Sequence, residues 1–402
     1  MNITRPFLLN TATSKIAYRH SSSNIMKENG FYLNRNELIS TVKNSIVPTI
    51  NDYTTPKQRA FQKQLTNIIP HPLLNDYSRL LITGAHFKDI EQNNPKLCIN
   101  KLQVIKDYLE VTKLLDDIIE TSHQLRYRPG YGNDLVECLI ELTLKQERNQ
   151  TKHIDFHSDH EQYLNMFTEI ITRALSLAPN ACDQTKQLFL DANVQFFTNT
   201  LMEIDYYQDI NFQQVITMSG YIKLREDTIG LVPILTLTDM LKEQTPPTLL
   251  PTHKIQKITT RKITMAQKWV TGNILYLNDA ISCFKELDEQ RLTENETALL
   301  NTATIAIKNG LVRTPKEAIN MCIQDAQFQL NTGQNVHKII LNEINSASYM
   351  DLDTKKLIQE HLQLRFDWVV ANQLLSKYSR IYDPHESFNF SQHFSLSHPI
   401  TP

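Results

Sequence analysis

Glycine is scarce in this chain. Only nine of the 402 residues are glycine, about 2% against a usual level near 7%. Because β-rich folds depend on turns in which glycine adopts left-handed backbone conformations, this scarcity argues against a sandwich or barrel. Hydrophobic residues still make up 41% of the chain, which is enough for a large buried core. The composition therefore favours a helical globular protein.

A strong net charge, a long apolar run and paired cysteines are also missing. The formal net charge is −2, and the scattered basic residues form no stripe for a nucleic-acid backbone. No run of about 18 apolar residues could span a bilayer, since the longest candidate is interrupted by Pro233 and Asp239. The five cysteines are odd in number and lack paired spacing, which favours a reducing compartment, the cytoplasm. We expect no nucleic-acid partner and no integral membrane segment.

Apolar residues recur at three- and four-residue spacing in several parts of the chain. This pattern predicts amphipathic helices over residues 105–119, 163–177, 263–287 and 357–375. Residues 245–252 contain three prolines, cannot form a continuous helix and are predicted to be a loop. We expect a single α-helical domain over residues 51–388, between an N-terminal tail (1–50) and a C-terminal tail (389–402).

Three oxygen-bearing side chains follow each other at four-residue spacing on the helix predicted over 263–287. They are Asn278, Ser282 and Glu286, and Lys285 precedes the last of them. At about 100° per residue, such positions lie within an arc of about 80° on one helix face. An amide, a hydroxyl and a carboxylate form an oxygen-only ligand set, which suits Mg²⁺ better than zinc or copper. Taken alone, the row would also fit a polar helix face.

A second oxygen cluster lies upstream, on the helix predicted over 105–119. Asp116 and Glu120 are one helical turn apart, with Asp117 beside them, among apolar residues. Alone, such a cluster is usually a solvated helix face. Two clusters on separate helices nevertheless predict a shared metal site, whose ligands are Asp116, Asp117, Glu120, Asn278, Ser282 and Glu286.

These motifs resemble those of class I terpene synthases. The string Asn-Asp-x-x-Ser-x-x-Lys-Glu over residues 278–286 matches the family's second metal motif at every defining position, and Asp-Asp-x-x-Glu over 116–120 resembles the first. The segment from Arg225 to Gly230 resembles the one in which an arginine senses the diphosphate beside a break in a helix. Alone, Arg225 would equally fit a surface arginine paired with Glu226 or Asp227. The resemblance covers about residues 75–385 and implies an all-α fold, a single helical bundle.

The C-terminal part departs from the family pattern, which places an Arg-Tyr pair shortly after a tryptophan. Trp368 is instead followed by two candidate pairs, Lys377 with Tyr378 and Arg380 with Tyr382. Because arginine binds phosphate through a planar fork and lysine only as a point charge, we favour Arg380 with Tyr382.

The resemblance implies a Mg²⁺-dependent cyclase that ionises a linear prenyl diphosphate, with farnesyl diphosphate and a sesquiterpene product favoured. It implies three Mg²⁺ ions beside the bound diphosphate and a catalytic set of Asp116, Arg225, Asn278, Ser282 and Glu286. Donors to the phosphate oxygens would be Arg225, Lys285, Arg380, Tyr382 and, in the alternative register, Lys377. Candidates for aromatic walls that stabilise cations are Phe196, Phe197, Trp368 and Tyr382.

Three alternatives stay open at this point. A diterpene synthase would act on geranylgeranyl diphosphate through the same motifs. Elongating and condensing prenyl transferases usually carry aspartates in both clusters, whereas this chain has Asn278 and Ser282, which favours cyclisation. A helical interaction protein could retain the fold without the chemistry. A monomer and a homodimer are both compatible with the sequence.

Overall fold

The computed structural model describes residues 94–145, 156–209, 215–251, 253–292 and 300–378. Within these ranges the long regular elements are all helices. They are α1 (Pro95–Thr121), α2 (His123–Tyr127), α3 (Tyr131–Lys145), α4 (Ser158–Ser176), α5 (Asp183–Gln208), α6 (Met218–Thr228), α7 (Leu231–Leu241), α8 (Lys257–Leu292), α9 (Thr302–Lys308), α10 (Pro315–Ser346) and α11 (Leu352–Tyr378). The predicted all-α class is confirmed.

The helices predicted from periodicity are confirmed as parts of α1, α4, α8 and α11. The predicted segment 163–177 ends at Leu177, which is the C-cap of α4. The predicted loop over 245–252 contains only the short 3₁₀ turn Pro247–Leu249, because its prolines cannot supply helical N–H donors. The two predicted tails and the ends of the predicted domain lie outside the described residues.

Capping residues determine where two of the long helices begin. The side chain of Asn94 accepts a hydrogen bond from the Leu97 N–H at 3.0 Å, and Pro95 opens α1. Thr314 and Glu317 form a reciprocal capping box at the start of α10. These groups satisfy N–H donors that have no partner within the first turn of a helix.

Helix α8, which carries Asn278, packs along α10 and α11. Two glycines allow a close approach to α10: a Cβ on Gly272 would lie 2.8 Å from the Gln329 side chain, and one on Gly333 would lie 3.2 Å from Trp269. The Asn273 side chain also donates to the Ala326 carbonyl on α10 at 2.7 Å. The register of α8 is therefore set by its packing against α10.

A buried ion pair joins α11 to α7. Arg365 donates to both carboxylate oxygens of Asp239, at 3.0 and 2.7 Å, and both residues are buried. Burial alone would raise the pKa of Asp239, but the Arg365 guanidinium holds it below its usual range. Paired buried charges of this geometry keep two helices in one relative position.

Two further findings bear on the compartment and on membranes. All five cysteines lie in the described ranges and none forms a disulfide. In those same ranges no helix combines the length and the apolar character that crossing a bilayer requires.

Candidate active site

A cavity of about 170 Å³ lies between α1, α5, α6, α7, α8 and α11. Much of its wall is apolar and includes Leu109, Ile119, Phe196, Leu231, Ile234 and Ile274. Its polar side chains include Lys113, Asp116, Glu203, Arg225, Asn278 and Asn372. Charged groups and apolar surface therefore share one cavity.

One residue of each oxygen cluster lines this cavity. Asp116 on α1 and Asn278 on α8 both line it. Ser282 lies one helical turn beyond Asn278 and is 6% exposed. Its hydroxyl has no hydrogen-bond partner among the described residues. That the two clusters share one metal site stays a prediction.

Several predicted site residues cannot be placed. The side chains of Asp117, Glu120, Lys285, Glu286 and Lys377 lie outside the described part of the structure, although their backbones belong to α1, α8 and α11. Arg380 and Tyr382 lie outside the described residues altogether. Their assigned roles stay predictions.

Arg225 is buried at the polar end of the cavity. Its Nη1 lies 3.2 Å from Asp116 Oδ1 and 3.2 Å from Glu203 Oε1, and its Nε lies 3.9 Å from Asp279 Oδ1. Burial alone would lower the pKa of Arg225, but the nearby carboxylates raise it well above its usual range. The guanidinium is therefore charged, and the alternative of a surface arginine paired with Glu226 or Asp227 is wrong.

Glu203 is a cavity residue to which the sequence interpretation gave no role in the site. It accepts hydrogen bonds from Arg225 and from the Thr228 hydroxyl, and burial raises its pKa to about 7. A signal was present: Phe196, Thr200, Glu203 and Tyr207 follow the three- and four-residue spacing of a buried helix face. A carboxylate on a buried helix face indicates that an oppositely charged or hydrogen-bonding partner is buried beside it.

Asp279, next to Asn278, has a different role. Its Oδ2 accepts from the Tyr221 hydroxyl at 2.5 Å, the Thr302 backbone N–H at 2.9 Å and the Thr302 hydroxyl at 2.5 Å. These bonds join α8 to α6 and to the start of α9, and Asp279 is 1% exposed. Asp279 therefore positions α8, with Asn278 beside it, against the helix that carries Arg225.

The predicted break in the helix follows Arg225 directly. Helix α6 ends at Thr228, and α7 begins at Leu231 after Gly230, whose φ is +73°. This left-handed conformation favours glycine. Thr228, Ile229 and Gly230 all line the cavity. The segment between the two helices therefore forms part of the cavity wall, next to Arg225 in the sequence.

Only some of the aromatic residues predicted for the cavity wall line the cavity. Phe196 and Trp368 line the cavity. Phe197 does not; it is fully buried in the core, edge-to-face with Phe167 at 5.0 Å. Its assignment to the wall is wrong, because the Phe197 ring, about 100° further round the helix, packs into the core against Phe167. Tyr382 lies outside the described residues.

The donor set at the polar end has the chemistry of a hard-cation site. In the described part of the chain, no three His, Cys, Asp or Glu side chains are arranged to hold a metal ion. The predicted set instead combines the Asp116 carboxylate, the Asn278 amide and the buried, unpartnered Ser282 hydroxyl, all of which are oxygen donors. Such donors fit Mg²⁺. Metal binding stays a prediction.

Comparison with known proteins identifies the fold. No family model and no curated protein match the chain. Among solved structures the matches share the fold of class I terpene synthases. One is germacradien-4-ol synthase from Streptomyces citricolor, with a TM-score of 0.56 and 14% identity over 91% of this chain and 98% of that one.

Two further solved structures agree. Linalool/nerolidol synthase from Streptomyces clavuligerus, in complex with 2-fluorogeranyl diphosphate, has a TM-score of 0.53 and 13% identity over 83% of this chain and 99% of that one. An a-eudesmol synthase has a TM-score of 0.54 and 11% identity over 92% of this chain and 100% of that one. The suspected resemblance is thus confirmed for the fold.

Proposed function

We propose that this chain is a Mg²⁺-dependent terpene cyclase. It ionises a linear prenyl diphosphate, farnesyl diphosphate being favoured, and cyclises the carbocation to a sesquiterpene with release of diphosphate. One observation carries the proposal: Asp116, Arg225 and Asn278 meet in a cavity whose remaining wall is largely apolar. Such a cavity offers one place for an anion and another for a hydrocarbon chain.

Arg225 binds the diphosphate end. Its Nη1 is engaged by Asp116 and Glu203, whereas its buried Nε has no hydrogen-bond partner among the described residues. A guanidinium has five N–H donors, and the hydrogen bonds to Asp116 and Glu203 engage only Nη1, so other donors remain for a phosphate oxygen while the carboxylates hold the group in place. Charge-assisted hydrogen bonds strengthen as the leaving group gains negative charge, which favours ionisation. Lys113, on the same wall as Asp116, adds a second positive charge.

The two oxygen clusters would hold the metal. Asp116, Asn278 and Ser282 would provide ligands, together with Asp117, Glu120 and Glu286. Bound Mg²⁺, for which three ions are predicted, would supply Lewis-acid neutralisation of the leaving diphosphate. Asp279 keeps α8 and α6 together through Tyr221, so that ligands and Arg225 face one substrate.

The apolar wall holds the organic fragment after ionisation. It excludes bulk water, which would otherwise quench a carbocation. Phe196 and Trp368 line the cavity, and an aromatic ring whose face meets a cation stabilises it by about 0.5–2 kcal/mol. The related fold of linalool/nerolidol synthase, crystallised with 2-fluorogeranyl diphosphate, supports a prenyl diphosphate as the substrate class.

The test is product identification. Purified protein is incubated with ten-, fifteen- and twenty-carbon prenyl diphosphates and Mg²⁺, and extracts are separated by gas chromatography with mass spectrometry. We expect cyclic fifteen-carbon products from farnesyl diphosphate. Twenty-carbon cyclic products would instead indicate a diterpene synthase.

The same reactions distinguish the remaining alternatives when isopentenyl diphosphate is added. A longer prenyl diphosphate would identify an elongating enzyme and contradict cyclisation. If none of the substrates is consumed, with or without Mg²⁺, the enzyme proposal fails and the helical interaction protein remains.

A further inference from the structure

Five apolar side chains lie on the outer side of the pair formed by α8 and α10. Four of them are between 49% and 60% exposed, and the fifth, Trp269, is half-buried. The Trp269 ring meets the Phe328 ring edge-to-face at 6.1 Å, so the two helices contribute to one surface. We call this surface the outer face. It consists of Ile258, Met265 and Trp269 on α8 and of Phe328 and Ile339 on α10.

Helix geometry places the outer face away from the cavity. At about 100° per residue, its three α8 residues lie within an arc of about 40°, and its two α10 residues lie about 20° apart. Trp269 and Asn278 are nine positions apart on α8, so they point in nearly opposite directions. Asn278 lines the cavity. The outer face is therefore separate from the candidate active site.

Basic residues flank the outer face, and acidic residues are missing from the same stretches of sequence. Residues 257–277 of α8 contain four Lys or Arg and no Asp or Glu, and residues 326–342 of α10 contain Lys338 and no acid. Lys257, Arg261 and Lys338 are exposed. Lys257 and Lys338 directly precede apolar residues of the outer face. A chain with a net charge of −2 thus has a local basic rim here.

The other two basic residues of this part of α8 have acidic neighbours. Lys262 forms an ion pair with Glu343 of α10. Lys268 attracts the carboxylates of Glu226 and Asp227 on α6. The positive charge of the rim is therefore strongest toward the start of α8.

Exposed apolar side chains inside a basic rim match the surface of an anionic membrane. Exposed apolar patches with polar rims mark sites that bind proteins or membranes. Helices that lie in a membrane interface bury Trp, Phe and aliphatic side chains at the boundary between headgroups and acyl chains. Their Lys and Arg side chains extend along the apolar surface to anionic headgroups. The outer face has both kinds of residue in this arrangement.

Other partners match the outer face less well. A two-fold dimer would set the same patch of two copies against each other and bring two identical basic rims together, which costs free energy. Lysine is also depleted at protein–protein interfaces. A nucleic acid would pair with the basic residues through its phosphates but leave the apolar side chains without a partner.

We propose that the outer face of α8 and α10 docks on anionic lipid bilayers. The apolar side chains enter the boundary between headgroups and acyl chains, and Lys257, Arg261 and Lys338 lie at the lipid phosphates. The attachment is peripheral, because both helices lie along the surface and do not cross it. The inference does not depend on the proposed reaction.

The first test is flotation of the full-length wild-type protein with lipid vesicles. We expect it to float with vesicles of phosphatidylcholine and phosphatidylglycerol at low salt, and far less with phosphatidylcholine alone. Added salt should release it, because salt screens the attraction between charges. Tryptophan emission should shift to the blue on binding, since Trp269 lies on the outer face and the second tryptophan, Trp368, is already buried. Absence of flotation with the anionic vesicles at low salt would overturn the inference.

A second test removes the charges of the rim. The double variant Lys257→Gln and Arg261→Gln should lower the partition coefficient for anionic vesicles by about 30-fold, because each basic residue near such a surface contributes about fivefold. The control is Lys96→Gln with Lys145→Gln, which removes two exposed charges from α1 and α3 and should change binding little. Equal losses in both double variants would show that overall charge drives binding and would contradict the assignment to the outer face.

A third test removes apolar side chains. Phe328→Gln should lower the partition coefficient by about tenfold, because a large apolar side chain no longer enters the bilayer. Met265→Gln should also weaken binding, whereas Met202→Gln should not, although Met202 on α5 is similarly exposed, at 47% against 49%. Wild-type binding of both outer-face variants would exclude insertion of this face. Circular dichroism establishes that each variant is folded.

Two further measurements separate this inference from its alternatives. In analytical ultracentrifugation without lipid, a dimer that Phe328→Gln dissociates, together with no vesicle binding, would show that a second copy covers the outer face and would overturn the inference. Diphosphate release without vesicles should be the same in Phe328→Gln and wild type, because the outer face lies away from the cavity. Absence of release from the wild type would refute the proposed function, while vesicle binding would still support the docking surface.

Discussion

Arg225 and Asp116 form an ion pair across 109 positions of sequence, with Nη1 3.2 Å from Oδ1. In this arrangement the cation proposed for the diphosphate and a carboxylate proposed for the metal neutralise each other. Substrate and metal must therefore compete with this pair, or share its members, when they bind. Glu203 contacts the same Nη1, and Asp279 lies 3.9 Å from Nε, so both keep Arg225 in place.

Arg225→Lys should keep the charge and lose the planar fork. We expect turnover to fall by about 10- to 100-fold, which corresponds to losing one charge-assisted hydrogen bond. Steady-state kinetics give the measurement, and Arg173→Lys is the matched control because Arg173 pairs with Asp107 outside the cavity. Unchanged kinetics in Arg225→Lys would remove Arg225 from the site.

Asn278→Ala and Glu286→Ala should each abolish turnover and leave the helical fold intact, because each removes a metal ligand that no backbone group replaces. Circular dichroism and the product assay are run on the same samples. Asn320→Ala, an exposed helical position, is the control. Wild-type rates in either variant would refute the metal assignment, and loss of helicity would show that the residue is structural.

Asp279→Ala should destabilise the protein, in contrast to Asn278→Ala. It removes the acceptor of both Thr302 donors and the nearer of the two acceptors of the Tyr221 hydroxyl, the other being the Leu300 carbonyl at 3.5 Å. At about 1–3 kcal/mol for each unsatisfied buried group, the free energy of unfolding should fall by about 3 kcal/mol or more. Urea unfolding measures this, with the exposed Asp191→Ala as control. Unaltered stability together with lost turnover would place Asp279 at the metal instead.

Glu203 should make stability fall as pH rises. Its pKa is raised from 4.5 to about 7 in the folded protein, chiefly by burial, so between these values the folded state holds a proton that the unfolded state has released. The contribution is complete below about pH 4.5 and lost above about pH 7. Urea unfolding across this range should show a shallower decline in Glu203→Gln. Parallel pH profiles for the two proteins would contradict this role.

The C-terminal donors are tested by comparing two substitutions. If Arg380 and Tyr382 bind the diphosphate, Arg380→Ala should lower activity far more than Lys377→Ala. Tyr382→Phe should weaken the substrate complex by about 1 kcal/mol through loss of one hydrogen bond. The kinetics of the three variants decide which of the two basic-aromatic pairs binds the diphosphate. The opposite order would assign Lys377 and Tyr378, and negligible effects throughout would exclude both pairs.

Sequence patterns predicted the features that depend only on residues close together in the chain. The helices follow from apolar spacing, and the positions of Asp116 and Asn278 follow from motifs that span one to just over two turns of a single helix. The predicted break after Arg225 depends on Gly230, again a local property. These features require no knowledge of distant contacts.

Long-range partners could not be predicted in this way. That Arg225 is buried against Glu203, and that Trp368 and Asn372 share a cavity wall with Lys113, depends on how separate helices pack. Phe197 shows the limit within one helix, because composition alone does not tell which of two adjacent aromatic residues faces the cavity.

Release of diphosphate from farnesyl diphosphate, followed while Mg²⁺ is titrated into metal-free protein, tests the central claim most directly. The account predicts no release without Mg²⁺, saturable release with it, and none in Asn278→Ala at the Mg²⁺ concentration that saturates the wild type. Absence of release from folded wild-type protein at every Mg²⁺ concentration, or equal release with and without the metal, would contradict it.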